Sequence, residues 1–206
     1  MSVAGVILAG GRARRMGGRV KALQSVCGKP LLGHVIDRVG PQVAGLSLSV
    51  EHVSESFEPF GLPQLADEKP GGGPLGGLLA AMKWMDLASN WLLLVPCDAP
   101  FVPTDLGDRL LSSATASGKP GALVRYEGEI QPVFSIWHRS ILPVLEQAVS
   151  GDGLAGFKQF LCRVSLAEEN WPTETPPPFF NINDQEALSQ AEWLINMNPG
   201  GPKCAV

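Results

Sequence analysis

The sequence lacks the features that mark nucleic-acid-binding, membrane and cysteine-metal proteins. It has no basic excess, because 16 Lys and Arg residues stand against 20 Asp and Glu for a net charge of −4, and a nucleic-acid-binding surface normally needs a basic face. No apolar run approaches the ~18 residues of a membrane span, and the first residues do not resemble a signal peptide. The four cysteines include no CxxC pair, so zinc and redox motifs are unsupported. We expect a cytoplasmic protein with reduced thiols that binds neither nucleic acid nor membranes.

Glycine and proline are abundant, with 24 and 18 residues among 206. This content favours many structured loops over long uninterrupted helices. The length is sufficient for one well-packed core. We expect a single domain over residues 1–197 and a disordered tail over residues 198–206.

Apolar runs and helical spacing alternate along the chain. Apolar runs predict strands at residues 3–8, 46–50, 91–95, 121–125, 131–137 and 179–183. Helices are predicted over residues 31–39, from the loop at 70–77 to about 85, over 105–114 with Thr104 as N-cap, over 139–149, and from Asp184 to about 195. Strands that alternate with helices predict an α/β protein, a Rossmann-like three-layer sandwich around a mostly parallel sheet.

The stretch GVILAGGRARRMGGRVKAL, residues 5–23, places a Gly-rich loop, in which three arginines fall within four residues, directly after the first predicted strand. Ligands of such folds bind beyond the carboxyl ends of the strands. Glycines let successive N–H groups converge on an anion, and Arg15 and Lys21 add positive charge. The loop therefore predicts a polyanion site, for which a nucleoside triphosphate is the obvious ligand. The alternative is a flexible basic surface loop. Neither GxxxxGK[ST] nor GxGxxG is present here, which disfavours P-loop ATPases and dinucleotide-binding dehydrogenases.

The same stretch resembles the L-x-G-G-x-(S/A)-x-R-M-G-x-x-K signature of nucleotidyltransferases. The matching residues are Leu8, Gly10, Gly11, Ala13, Arg15, Met16, Gly17 and Lys21. Together with VPCDAPFVP at residues 95–103 and FFNIND at residues 179–184, it is similar to the molybdenum cofactor guanylyltransferases, the MobA family. The resemblance covers most of residues 3–195. The first motif alone indicates only the wider superfamily, which includes cytidylyl- and sugar-nucleotide transferases.

This resemblance implies a nucleotide-diphospho-sugar transferase-like fold and the transfer of GMP from GTP to the phosphate of molybdopterin or molybdenum cofactor, with release of pyrophosphate. It implies Mg²⁺ as cofactor, held by Asp98, and a monomer whose product passes to molybdoenzyme-maturation proteins. The implied catalytic residues are Arg15, Lys21 and Asp98. The implied nucleotide-binding residues are Leu8, Ala9, Gly10, Gly11, Lys21, Asp67 and Asp98, and the implied acceptor-binding residues are Gly76, Asn181 and Asn183.

The residues themselves support these roles and leave alternatives open. Asp98 ends a predicted buried strand, where a carboxylate can hold Mg²⁺ against phosphate oxygens or can instead stabilise its own turn. Asp67 can contact the nucleotide or remain a solvated charge. Asn181 and Asn183 would share one face of the strand predicted at 179–183, either as ligands or as polar edge residues.

Two departures from the family pattern concern the nucleotide base. Ser49 stands where the family often has Asn, and Glu51 adds an unexpected carboxylate. A molybdopterin cytidylyltransferase or a sugar-phosphate nucleotidylyltransferase is therefore an alternative, and a non-catalytic nucleotide-binding protein is a more distant one.

Overall fold

The computed structural model describes residues 2–10, 20–67, 72–86 and 88–197. The strands are β1 (Val3–Leu8), β2 (Ser25–Val26), β3 (Lys29–Pro30), β4 (Gly45–Val50), β5 (Gln64–Ala66), β6 (Trp91–Pro96), β7 (Gly121–Tyr126), β8 (Glu129–His138) and β9 (Ala167–Trp171). The α-helices are α1 (Leu31–Val39), α2 (Gly73–Trp84), α3 (Leu106–Ser117), α4 (Leu142–Glu146), α5 (Phe157–Phe160) and α6 (Gln185–Met197).

Seven strands form one sheet in the order β5–β4–β1–β6–β8–β7–β9. The pairs β5–β4, β4–β1, β1–β6 and β7–β9 are parallel, whereas β8 is antiparallel to both of its neighbours. A hairpin joins β7 to β8 through Glu127 and Gly128, both with positive φ. The predicted mostly parallel α/β sheet is confirmed, with β8 as the reversed strand.

Helices cover both faces of this sheet. Adjacent residues of β1 point to opposite sides, so Val6 packs with Leu78 of α2 and Ile7 packs in the cluster that contains Leu32 of α1. Both faces are buried, which explains why these strands are continuous apolar runs and not alternating ones. The result is the three-layer sandwich expected from the sequence.

Helix α6 closes a smaller apolar cluster beside the main sheet. Leu188 and Leu194 of α6 pack with Val26, Leu31 and Ile182. The Asp184 carboxylate accepts a hydrogen bond from the Ala187 N–H at 2.9 Å, as expected for the cap of this helix. This packing holds residues 181–183 next to the end of β6.

Three local expectations were wrong. Residues 179–183 form no strand, because Phe179 packs into the aromatic group of Phe134 and Trp171 and does not pair with a sheet edge. Helix α3 begins at Leu106 with Asp105, not Thr104, as its N-cap. The helix predicted at 139–149 is a 3₁₀ turn, then α4, then a π segment, since Pro143 is tolerated only in the first turn of an α-helix.

The structure also bears on the membrane and thiol expectations. Among the described residues, no helix combines the length and apolar character that a membrane span requires. Cys97 and Cys162 are free thiols, whereas Cys27 is disulfide-bonded. The expectation of reduced thiols is therefore wrong for Cys27.

Candidate active site

Four parallel strands bring the predicted site residues to one edge of the sheet. One residue of the site lies one or two positions beyond the end of each strand: Gly10 after β1, Glu51 after β4, Asp67 after β5 and Asp98 after β6. The register pairs Leu8 with both Ser49 and Pro96, so the ends of the three central strands are level. Adjacent strands are about 4.8 Å apart, so the end of β5 and the end of β6 are roughly 14 Å apart. That span suits an extended nucleotide lying across the strand ends.

A cavity of about 360 Å³ opens at this edge. Its described lining combines residues from the strand ends, from the start of α2 and from the short turn at Lys21. These residues are Leu8, Gly10, Lys21, Ser49, Glu51, Asp67, Gly73, Pro74, Pro96, Cys97 and Asp98.

One end of the cavity contains an ion pair. The Lys21 ammonium donates to Asp98 Oδ2 and, at 2.5 Å, to Asn183 Oδ1. The Ile182 N–H donates to the Asp98 carbonyl at 2.9 Å, which fixes the loop that carries Asn183 against β6. Lys21 and Asp98 side chains are each only 13% exposed, so water screens this pair weakly. Sequence reasoning placed both residues in the site but did not predict that they pair.

The other end of the cavity is acidic. Burial raises the pKa of the Asp67 carboxyl above its ordinary value, and the nearby Glu51 raises it further. Asp67 Oδ1 is buried and has no hydrogen-bond partner within the described ranges. A ligand that brings hydrogen-bond donors to this end would satisfy that oxygen.

Helix α2 reaches the cavity by close packing of glycines. A Cβ on Gly77 would lie 2.3 Å from Ser49 Oγ and 2.7 Å from Leu8 Cδ2, and a Cβ on Gly73 would lie 2.6 Å from the Ala155 carbonyl oxygen. Gly73 also has a φ of +59°, which disfavours other residues. These glycines therefore serve the contact of the helix with its neighbours. Nothing in the sequence indicated that Ala155 contacts the start of α2.

The donor set suits a hard divalent cation. Within the part of the chain that the structure describes, no cluster of three or more His, Cys, Asp or Glu side chains could hold a metal by itself. Asp98 Oδ1, however, is buried and without a described partner. Mg²⁺ commonly binds through one or two carboxylates plus substrate phosphates and water. A single available carboxylate oxygen at the strand end fits that manner of binding.

The structure brings most of the predicted site residues together. Leu8, Gly10, Lys21, Asp67 and Asp98 line the cavity, as do Ser49 and Glu51. Gly11 and Arg15 lie outside the described residues, so their roles stay predictions.

Four predicted residues are near the cavity without lining it. Ala9 is buried and donates its N–H to the Ser49 carbonyl at 2.8 Å. A Cβ on Gly76 would lie 3.4 Å from the Asp67 carboxyl, so Gly76 lies against Asp67. Asn183 reaches the site through Lys21, whereas Asn181 has a buried Oδ1 for which the described residues supply no partner.

Cys97 is adjacent to Asp98 and does not act as a nucleophile. It is free and buried, and burial followed by the Asp98 charge raises the pKa of its thiol to about 12. The thiolate is the reactive form of cysteine, and at neutral pH this side chain is protonated. Its role is packing.

Comparisons with known proteins agree with this architecture. The family model described as MobA-like NTP transferase domain matches residues 5–166. The molybdenum cofactor guanylyltransferase of Bradyrhizobium sp. (strain ORS 278) is 36% identical over 200 residues, which cover 95% of this chain and 94% of that protein.

Solved structures show the same fold. Molybdopterin-guanine dinucleotide biosynthesis protein A from Archaeoglobus fulgidus has a TM-score of 0.74 at 22% identity and covers 94% of this chain and 98% of its own. The manganese complex of Rv0371c from Mycobacterium tuberculosis H37Rv has a TM-score of 0.65 at 16% identity and covers 92% of this chain and 97% of its own. Because the family model matches most of the chain and the curated relative aligns over nearly all of it, this chain belongs to the MobA-like NTP transferase family, among the molybdenum cofactor guanylyltransferases.

Proposed function

We propose that this protein transfers GMP from GTP to the terminal phosphate of molybdopterin-bound molybdenum. An oxygen of the acceptor phosphate forms a bond to the α-phosphorus of GTP. The bond from that phosphorus to the oxygen bridging to the β-phosphate breaks, and pyrophosphate leaves. The product is a molybdopterin guanine dinucleotide, as the names of the relatives indicate.

The observation that carries this proposal is the polarity of the cavity along the strand ends. Lys21 and Asp98 lie at the end of β6, and the carboxylates of Glu51 and Asp67 lie at the ends of β4 and β5. Phosphates are favoured beside the ammonium, and a base edge rich in N–H donors is favoured beside the carboxylates. A guanine nucleotide has both features in this order.

At the phosphate end the residues position groups and offset charge. The Lys21 stem is long enough to follow the α-phosphate and the leaving pyrophosphate as negative charge builds. Asp98 would hold Mg²⁺, which when bound supplies charge neutralisation for the phosphate oxygens. The acceptor phosphate is already an anion, so the reaction needs no strong general base.

At the base end, the acidic pair supports guanine over cytosine. Guanine presents N1–H and 2-amino donors on its Watson–Crick edge, whereas cytosine presents two acceptors and one amino group. The carboxylates of Glu51 and Asp67 complement the first pattern and oppose the second. The Leu8 carbonyl, a further candidate acceptor, already accepts the Cys97 N–H at 3.1 Å.

The residues expected to contact the acceptor are Gly76, Asn181 and Asn183, of which Gly76 lies against Asp67 at the base end of the cavity. The contact of Asn183 with Lys21 supports this assignment, because it places an amide beside the group that follows the transferred phosphate. Asn181 lies two residues earlier on the same loop, and its oxygen lacks a partner among the described residues.

The test is pyrophosphate release with purified molybdenum cofactor as acceptor and one nucleoside triphosphate at a time, in Mg²⁺. We expect GTP to be used at least about 100-fold better than CTP, because a site built for polar groups rejects an analogue that leaves them unpaired. A preference for CTP would assign the chain to cytidylyl transfer. Equal rates with a sugar 1-phosphate acceptor would exclude the cofactor as its dedicated substrate, and nucleotide binding without pyrophosphate release would indicate a non-catalytic protein.

Mg²⁺ itself, as opposed to another divalent ion, belongs to this proposal, and a comparison of Mg²⁺ with Mn²⁺ in the same assay tests it. The manganese complex of the structural neighbour supports a divalent site in this fold. A monomeric state, delivery to molybdoenzyme-maturation proteins and a cytoplasmic location stay predictions.

A further inference from the structure

We infer that Lys21 keeps divalent cations away from Asp98 until a nucleotide binds, so that metal and nucleotide enter the site cooperatively. The inference rests on the proposed metal-dependent nucleotidyl transfer. It concerns the order of binding and not the chemical step.

The first observation is the position of the ammonium. Lys21 Nζ donates to Asp98 Oδ2 and to Asn183 Oδ1, so it lies beside the carboxylate to which the metal role is assigned. Both ionic side chains are 13% exposed, and the pair is therefore less screened than a surface pair.

The second observation is that the Lys21 backbone is held independently of the contacts of its ammonium. Lys21 opens a short 3₁₀ turn, Lys21–Leu23, in which the Gln24 N–H donates to the Lys21 carbonyl at 3.1 Å. Ala22, the next residue, is fully buried. The four-carbon side chain can still rotate, so the ammonium can exchange Asp98 for a stronger anion while its Cα stays in place.

The third observation is how little else would attract a cation at the Asp98 end of the nucleotide-free cavity, since the carboxylates of Glu51 and Asp67 lie at the other end. Asp98 Oδ1 is buried and has no hydrogen-bond partner among the described residues. A cation that reached it would lie a few ångströms from the ammonium on Oδ2, and the like charges would repel. No cluster of three or more His, Cys, Asp or Glu side chains in the described ranges provides an alternative. Lys21 thus cancels the charge that would recruit a cation.

A nucleoside triphosphate reverses this balance. Its phosphates attract the Lys21 ammonium, which frees Asp98, and their oxygens complete the coordination of the cation. Since each ligand improves the site for the other, the coupling is reciprocal. The site would select the metal–nucleotide complex over either component alone.

The experiment measures Mn²⁺ binding to nucleotide-free protein from the electron paramagnetic resonance signal of free Mn²⁺. Lys21→Met keeps a long unbranched side chain, one heavy atom shorter, and removes its charge. We expect it to bind Mn²⁺ at least about tenfold more tightly than wild type, which is within the usual range of coupling between sites. Lys21→Gln should behave in the same way, and it serves if the Met variant does not fold.

Two controls localise the effect. Lys29→Met removes another lysine that pairs with an aspartate, Asp37, but on the exposed surface, and its Mn²⁺ affinity should equal that of wild type. Adding Asp98→Asn to Lys21→Met should abolish the gain, because the cation then loses its carboxylate.

Unchanged Mn²⁺ affinity in folded Lys21→Met and Lys21→Gln proteins would overturn the inference, and so would an equal gain in Lys29→Met. Neither result depends on GMP transfer. A wild-type protein that forms the dinucleotide but shows no effect of Lys21 on Mn²⁺ would refute the inference and leave the proposed function intact, whereas absence of transfer would refute the function alone.

Discussion

Because α2 packs closely against the strand ends at Gly77, we expect Gly77→Ala to destabilise the fold. The added Cβ would lie 2.3 Å from Ser49 Oγ, 2.7 Å from Leu8 Cδ2 and 3.1 Å from Ser49 Cβ. The Ser49 hydroxyl and the tip of Leu8 can rotate away. Ser49 Cβ is fixed to the backbone of β4, and Ser49 is only 5% exposed, so helix and strand must separate by a few tenths of an ångström.

Overpacking of this kind in a filled interior costs about 1–3 kcal/mol of unfolding free energy. For a protein of this length each kcal/mol lowers Tm by about 2–4 °C, so the expected decrease is roughly 2–12 °C. The displaced helix start also carries Gly73 and Pro74 of the cavity wall, so we expect the KM for GTP to rise as well.

Thermal unfolding of wild type, Gly77→Ala and Gly107→Ala measures this effect. Gly107 is the matched control, because it lies in α3 and its added Cβ would meet nothing nearer than 3.4 Å. Its Tm should be unchanged or higher, since alanine favours a helix over glycine. Ser49→Gly in the Gly77→Ala background should recover part of the loss. An unchanged Tm in Gly77→Ala, or an equal decrease in both single variants, would refute the packing argument.

Three further predictions concern the charged residues of the site. Lys21→Ala should lower turnover at least about 100-fold in a folded protein, and near-normal pyrophosphate release would contradict its role. Asp98→Asn should lose most activity, because a neutral amide is a poor ligand for a hard cation, and full rates at ordinary Mg²⁺ concentrations would count against it. The pKa of Asp67 is raised by burial and then by Glu51, so the folded state keeps this proton to higher pH than the unfolded chain. Its ionisation therefore destabilises the fold as pH rises above 3.8. Urea unfolding should show Asp67→Asn gaining stability relative to wild type as pH rises above about 4, and a pH-independent difference would be inconsistent with this.

The sequence predicts elements well where one short segment contains the whole signal. Strand β1 and helix α1 have the bounds that their apolar patterns predict, because burial on both faces of a strand or on one face of a helix is visible in the sequence. Strand β5 was missed because its three residues are defined by pairing with β4 and not by composition. Residues 179–183 were misassigned because a short aromatic and apolar run looks the same in the sequence whether it forms a strand or packs into a core as a loop, as Phe179 does.

In the candidate site too, the residues in local motifs could be predicted and the contacts between distant residues could not. Lys21 and Asp98 were identifiable because each lies in a characteristic local pattern. Their ion pair, and the contact of Lys21 with Asn183, join residues 77 and 162 positions apart. Contacts between residues so far apart in the sequence depend on the order of strands in the sheet, which no local periodicity encodes. The charge of the nucleotide-free site therefore emerges only from the fold.

The serine at position 49 and the glycine at position 77 are best understood as one structural feature. The family often has Asn at position 49, but a Cβ on Gly77 would already reach within 2.3 Å of the smaller Ser49 hydroxyl. The Ser49 hydroxyl lies against the start of α2 and also lines the cavity, where it reaches less far than an amide would. Hydrogen bonding that an amide could provide to a base must therefore come from elsewhere in the cavity wall. The Glu51 carboxylate lies at the end of the same strand, β4, and the Asp67 carboxylate lies at the end of the adjacent β5. The departure from the family pattern at Ser49 thus coincides with the acidic end of the cavity that supports guanine as the base.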